Sequence, residues 1–523
     1  MSDSRTTTTK NNTTNHKTSR QGPGSACEEC RRRKLRCDRQ PQCQNCVDAG
    51  VYCVTNLARP ARGPKKGHLK ALKGRIATLE RCLLEQRDGM LVDPISDDEL
   101  LDKALSASSP ASLSPDPPEE VSENILEDLD QVFFERVQPM VPILQRHRYF
   151  SWAREPQQSA NRRGLQQAIR TLAAGVSSQL PEVRVALYRT TRHTLESLES
   201  DDTLLTAPDF EQVQAWILIA IYEFMQVSYS RGWMSAGRVF RLVQLLRLPE
   251  IDASPLPLLD LDLDPDSNWV VAEEKRRTVW MAYIMDCSLN LRHKGSLTLT
   301  EQALTRLPMP ESEFQCGHPI SMGFLAEALA GTDITSPLSS FAKCILLATI
   351  SGRTLSHRHL SMAELLRGNP LQDIWTRHQW IDTTLTAHLQ LCFPLPTAAE
   401  SSDPMLLFAK MIGQAGVLSL YDILQSTPWE PETVSLLPDY EACALHAVRE
   451  TVALARNLRH FSCFKVHPFT PILLGLCAEV LQHPVARNDT PKLLGEVQDA
   501  LKYLKTVNRL ARQEAAAQDI RRS

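Results

Sequence analysis

The chain has 523 residues, which exceeds one ordinary domain, and its formal charge is only −3. Two or three folded units are therefore expected. No apolar run reaches the roughly eighteen residues that a bilayer-crossing helix needs, so no membrane span is expected. The first 25 residues are rich in Thr, Asn, Ser and Lys, a low-complexity composition that predicts no fold. Next comes CEECRRRKLRCDRQPQCQNCVDAGVYC, with cysteines at 27, 30, 37, 43, 46 and 53. The spacing is two copies of Cys-x2-Cys-x6-Cys joined by a short loop. A Cys-x2-Cys turn lets two thiolates bind one tetrahedral zinc. Six thiolates cannot fill two separate four-ligand sites, but they can if two sulfurs bridge. The arithmetic favours a two-zinc cluster over two independent fingers. A disulfide framework belongs to small secreted domains, and no apolar signal segment precedes these cysteines. The other eight cysteines are scattered, as small core side chains are.

On these residues the chain resembles the fungal zinc binuclear cluster (Zn2Cys6) transcription factors, including the basic run after Cys30 and Pro41 in the central loop. The resemblance implies that Cys27 and Cys43 bridge, with Cys30 and Cys37 completing one zinc and Cys46 and Cys53 the other. Five cations, Arg31, Arg32, Arg33, Lys34 and Arg36, sit between two of the cysteines. They more than offset the −2 of six thiolates on two Zn2+ ions and suit a phosphate backbone. A helix of this size fits the DNA major groove. The resemblance makes Lys34 the base-reading residue on guanines of a CGG-type half-site, with Arg33 beside it. Arg31, Arg32 and Arg36 are assigned to phosphates.

Residues 55–68 form a linker broken by Pro60, Gly63, Pro64 and Gly67. Its Arg62, Lys65 and Lys66 can follow a phosphate strand. Together with Arg31–Lys34 they read as a nuclear localisation signal, and nuclear residence is expected. From 69 to 90, Leu69, Leu72, Ile76, Leu79 and Leu83 step by three and four residues, as do the a and d positions of a short coiled coil. Arg75 and the following Glu80 then have the spacing of an interchain ion pair, and a parallel homodimer is expected. Residues 91–125 are acidic and rich in Pro and Ser. Pro110, Pro115, Pro117 and Pro118 forbid a long helix there. This stretch reads as a disordered linker, with the composition of an activation segment for the transcription machinery.

From 126 to 518 the pattern becomes helical, and the expectation is a large all-α domain. Apolar-periodic segments recur at Asp209–Met225, Trp233–Leu246, Glu273–Leu291, Pro404–Leu424, Tyr440–Leu458, Pro471–Gln482 and Pro491–Ala511. AWILIAIYEFM, at Ala215–Met225, is apolar almost all round and predicts deep burial. Pro249, Pro308, Pro404, Pro471 and Pro491 are read as helix stops. The region resembles the middle homology regulatory domain of the same family. KRRTVWMAYIMD carries Arg276, Arg277, Trp280 and Asp286 at matching positions, and PILQRHRYF matches an upstream signature with Gln145 where histidine is common. The family's Gly-Arg-Pro after Asp286 is missing, and Gly295 and Ser296 stand there, one residue later. Trp280 and Tyr283 read as core, Asp286 as a satisfied structural carboxylate.

No G-x-S-x-G, H-E-x-x-H, Walker A or G-x-G-x-x-G motif is present, so an enzyme is not expected. The leading reading is a mainly α, zinc-dependent, sequence-specific regulator acting on double-stranded DNA at RNA polymerase II promoters. Its resemblance to regulators of secondary-metabolite gene clusters implies pathway-specific control. A regulator of primary metabolism, a zinc-module enzyme and a non-specific nucleic-acid binder are the rivals.

Overall fold

The computed structural model describes residues 27–38, 40, 42–51, 53, 122–177, 181–200, 209–253, 265–331, 338–368, 370–394, 403–429, 434–458, 462–482 and 490–520. The linker cations Arg62, Lys65 and Lys66, the Leu69–Leu83 seam and residues 91–121 of the acidic stretch lie outside them; the end of that stretch, expected to be disordered to residue 125, is helical from Glu123. The chain divides into two compact units, Met1–Lys73 and Gly74–Ser523.

Among its described residues the first unit holds two single-turn helices, α1 (Glu28–Arg32) and α2 (Gln44–Asp48). Its interior is sulfur: Cys27, Cys30, Cys37, Cys43 and Cys46 are buried, with Val51 and Cys53 packed against them. A unit with so few apolar side chains cannot be held by hydrophobic burial.

The second unit is helical among its described residues, where the one β-contact is an isolated bridge between Arg306 and Phe324. Its first half comprises α3 (Glu123–Val132), α4 (Arg146–Trp152), α5 (Ala160–Gly175), α6 (Pro181–Ser200), α7 (Phe210–Tyr222) and α8 (Tyr229–Leu245). Every residue of α7 is buried, and α5 and α8 pack along it. Next is α9 (Pro265–His293), followed by the short α10 (Glu311–Cys316) and α11 (Leu325–Ala330). The second half comprises α12 (Ser340–Arg367), α13 (Leu371–Cys392), α14 (Pro404–Ser426), α15 (Leu437–Leu458), α16 (Thr470–Gln482), α17 (Thr490–Leu504) and α18 (Arg509–Ile520). The most extensive pairing is α12 on α14. Helix α9 touches α7 and α8 on one side and α12, α14 and α16 on the other, so it joins the two halves. Helix α14 is long and apolar enough to cross a bilayer but lies mostly buried in this core.

Two expectations need correction. Pro404, Pro471 and Pro491 stop no helix; each lies in the first turn of one. Proline fits there because its missing N–H would have had no partner and its φ is already helical. The Pro491–Ala511 segment is two helices, not one. Asn508 makes the break: its Oδ1 accepts from the backbone N–H of Leu510 (2.9 Å), and its Nδ2 donates to the Pro468 carbonyl (2.7 Å). An asparagine N-cap of this kind satisfies otherwise orphaned helix N–H groups.

A candidate metal centre and nucleic-acid interface

The six sulfurs form two sets of four that share Cys27 and Cys43. One set adds Cys30 and Cys37, the other Cys46 and Cys53, and within each set the sulfurs lie within 4.8 Å of one another. Cys27 Sγ is 3.6 Å from those of Cys43 and Cys46, and Cys30 Sγ is 3.5 Å from that of Cys43. Four thiolates at about 2.3 Å from a zinc stand about 3.8 Å apart. The sets therefore fit two tetrahedral ions with two bridging sulfurs, the arrangement that the ligand count demanded. No disulfide joins any of the six.

The two copies of the motif repeat as backbone, sixteen residues apart. In the first, Leu35 N–H donates to the Cys30 carbonyl (2.7 Å); in the second, Val51 N–H donates to that of Cys46 (3.0 Å). Each bond closes its helix through a left-handed residue. In the second copy that residue is Gly50, φ 62°; in the first it is Lys34, φ 57°. Glycine adopts this conformation freely, whereas a side chain costs about 1–2 kcal/mol. Lys34 therefore occupies a strained position that the sister copy fills with glycine. Its side chain is exposed.

The basic run is not uniformly free. Glu29 accepts from Arg32 Nε (2.9 Å) and Nη2 (2.6 Å) and from Arg33 Nε (2.5 Å). The Arg32 guanidinium, with that of Arg33 beside it, holds the Glu29 carboxyl down at about 2. Such exposed pairs are weak because water and salt screen them, so a phosphate can compete for either arginine. Lys34 and Arg36 have no ion-pair partner among the described residues. Arg31 lies in α1, but its side chain is not among those described. The i, i+3, i+4 spacing of Glu29, Arg32 and Arg33 is legible in the sequence and was passed over. So was Asp38, whose Oδ2 accepts from Gln44 N–H (3.0 Å) at the start of α2. Asn45 Nδ2 then ties α2 to the Arg36 carbonyl (2.7 Å).

In the second unit, the two signature segments meet. Gln145 N–H donates to Glu274 Oε1 (2.8 Å) and Gln145 Nε2 to the Phe314 carbonyl (2.9 Å). Arg277 is 1 % exposed. It donates to Glu273 (3.0 Å), the Pro142 carbonyl (2.9 Å), the Met309 carbonyl (2.7 Å) and Glu311, and lies over the Phe314 ring. Arg276 pairs with Asp252 through two bonds of 2.9 and 2.7 Å. Trp280 Nε1 donates to the Arg306 carbonyl (2.8 Å). Asp286 Oδ2 accepts from Thr298 and Leu299 N–H, both at 2.7 Å, and Oδ1 from Asn290 Nδ2 (2.8 Å). These motif residues staple α9 to the segments around it. Burial pushes the Asp286 carboxyl up to about 6 and that of Glu274 to about 7.

Residues 25–62 match the fungal Zn(2)-Cys(6) binuclear cluster domain, and residues 131–378 match the fungal specific transcription factor domain. The chain is 98 % identical over 465 residues to the azaphilone cluster-specific transcription factor of Aspergillus niger, covering 89 % of this chain and 100 % of that one. The citrinin biosynthesis transcriptional activator of Monascus purpureus is 42 % identical, with 88 % of this chain and 86 % of that one aligned. The pigment biosynthesis transcriptional activator of Monascus ruber is 39 % identical over 94 % and 93 % of the two chains. The chain belongs to the fungal Zn2Cys6 transcription factors. As a Zn2Cys6 protein it binds DNA and carries two zinc ions, and it is not an enzyme. Zinc supplies the folding energy that the cysteine-cored first unit cannot draw from apolar burial. Its own residues then hold the basic turn in place for DNA.

Proposed function

We propose that this chain activates a secondary-metabolite gene cluster, that of an azaphilone, by reading CGG-type half-sites with Lys34. The supporting observation is the unequal pair Lys34 and Gly50. The two copies of the motif are alike in backbone, yet the first keeps a lysine where glycine is cheaper. The strain is accounted for if the ammonium is needed there, at the end of α1 and with no carboxylate partner among the described residues. Arg33 stands beside it, and Arg31, Arg32 and Arg36, with Arg62, Lys65 and Lys66 from the linker, hold phosphates. Cys27, Cys30, Cys37, Cys43, Cys46 and Cys53 are the zinc ligands. The protein acts in the nucleus. The relative at 98 % identity suggests the azaphilone cluster, and the Monascus relatives suggest activation.

Fluorescence anisotropy with a CGG-bearing duplex and a scrambled one, at one fixed salt concentration, tests the assignment. Lys34→Ala should cost about 1–3 kcal/mol on the CGG duplex and little on the scrambled one. Arg62→Ala should weaken both alike and lower the salt slope by about one. Equal losses on both duplexes for Lys34→Ala would remove its base-reading role.

A further inference from the structure

Among α9, α12, α14 and α16 lies a cavity of about 390 Å³, inside the range of about 300–1,000 Å³ that small-molecule sites occupy. Leu291, Leu355, Leu418, Leu476 and Val480 form its apolar wall. Its polar side is a cluster of four charges. Lys294 Nζ lies 3.1 Å from both Asp422 oxygens and 3.9 Å from Glu479, and Arg358 also donates to Asp422. Two cations face two carboxylates, so the cluster has no net charge with which to hold an ion. Its donors nevertheless exceed its acceptor contacts, since an ammonium offers three N–H groups and a guanidinium five. The surplus suits acceptor oxygens on an otherwise apolar molecule.

Two further features mark this wall as strained or unsatisfied. Lys294 is left-handed, φ 53°, a conformation that is strained for any residue with a side chain. It stands immediately after α9, and its ammonium is thereby directed to the Asp422 carboxylate. The Gln482 amide, in the same wall, has no hydrogen-bond partner for either polar atom. A buried amide left unpaired is destabilising, because it gave up its hydrogen bonds to water without replacing them. Turning that side chain onto an occupant would relieve the cost.

We propose that this cavity is an effector site for a small, uncharged, largely apolar molecule carrying carbonyl or hydroxyl oxygens at one end. Bound there, the molecule ties the end of α9 to α14 and α16, joining the halves of the second unit. The proposal goes beyond the DNA-binding role and does not depend on which sequence the cluster reads.

The test is a titration of the zinc-loaded full chain with Nile red, a neutral apolar dye bearing a ring carbonyl. One saturable site per chain, with blue-shifted emission, is expected. Ser419→Phe, which fills the cavity from α14, should weaken the dye at least tenfold. Should that variant fail to fold in a urea melt, Arg358→Met is the substitute, since Lys294 remains on Asp422; it should weaken the dye severalfold. No saturable binding by the parent, or unchanged affinity in whichever of these variants folds, overturns the proposal. Duplex affinity is read in parallel. A chain that cannot bind CGG DNA but holds the dye as described upholds the cavity and sinks the other reading.

Discussion

Single residues set the sharpest limits here, and Lys34 is the first. Its left-handed backbone is a stability cost, so removing the side chain and keeping the geometry should separate folding from reading. Lys34→Gly is expected to leave the zinc stoichiometry at two and to raise the stability of the first unit by about 1 kcal/mol. The same change should lose about 1–3 kcal/mol on the CGG duplex. Zinc-release titrations and anisotropy on one preparation check both halves; a variant less stable than the parent would show that Lys34 supports the fold. His467 poses the opposite case, a titratable ring with no charge to find. It is stacked on Phe408 at 3.5 Å between ring centroids, its Nε2 has no partner, and burial holds it down at about 3. An unfolded histidine titrates near 6.5. Below that pH the unfolded chain binds the extra proton, so this ring's contribution is present above about 6.5 and is lost as pH falls toward 3. Glu211 and Glu274, both raised to about 7 by burial, act with the opposite sign over an overlapping range. The informative quantity is therefore a difference between two proteins, not a single profile. Between pH 6.5 and 5.0 the stability gap between parent and His467→Leu should move by about 2 kcal/mol in favour of the variant. Urea midpoints at the two pH values measure it, and a constant gap would mean that His467 is protonated in the fold.

Among the elements, α9 carries the most structure. Of its motif arginines Arg277 is buried and Arg276 half-buried, and each has carboxylate or carbonyl partners supplied by another segment. Arg277→Met removes the charge but keeps the volume, leaving Glu273 and Glu311 without their shared cation. A loss of about 3–5 kcal/mol is expected. The double variant Arg277→Met with Glu273→Gln should recover part of it, because the two side chains belong to one network. Urea unfolding of the three proteins decides this; strictly additive losses would rule the network out. How far α9 was readable shows what sequence can and cannot carry. Trp280, Tyr283 and the burial of α7 follow from apolar pattern alone, since a segment apolar on every side has nowhere to go but inward. The satisfied state of Asp286 was legible as a role, but not its donors, Thr298 and Leu299, which lie beyond the helix. The Arg277 partners at Pro142 and Met309 are remote in the chain, and so is the Glu223 carboxylate, which accepts from Tyr188 and Ser235 at 2.7 and 2.6 Å. Periodicity reports which face is buried and not which residues meet there. The proline errors had a different cause. One residue type opens helices and follows them, and the deciding signal is its neighbour: Asp403 before Pro404 accepts from Met405 N–H at 2.9 Å and caps α14. In the metal centre the cysteine spacing alone led to two shared sulfurs, because ligand counting needs no tertiary information. The Lys34 strain needed coordinates, since nothing in RRRKLRC marks one residue as left-handed.

For the molecule as a whole, the open question is how so small a reading head selects its targets. If Lys34, at the end of α1, is the base reader, as proposed, it specifies only a few base pairs, too few to single out promoters in a genome. A symmetric dimer doubles the readout and makes half-site spacing a property of protein geometry. The Leu69, Leu72, Ile76, Leu79 and Leu83 seam is our candidate for that dimer, and residues 55–68 would set how far each cluster reaches from it. Ile76→Asp with Leu79→Asp places charge at adjacent a and d positions, where a two-stranded coil tolerates it least. The double variant should lose the tight binding to paired half-sites and keep the weak binding to a single one, because the cysteine frame is untouched. Inserting a few base pairs between half-sites should weaken the parent and leave the variant indifferent. Anisotropy on single, paired and respaced duplexes, with sedimentation to read mass, covers every arm. A variant that binds paired sites as tightly as the parent, with the same spacing preference, would move dimerisation to the second unit or leave the protein reading DNA as a monomer. In either case the Arg75 and Glu80 spacing would then be that of a helix lying against its own chain.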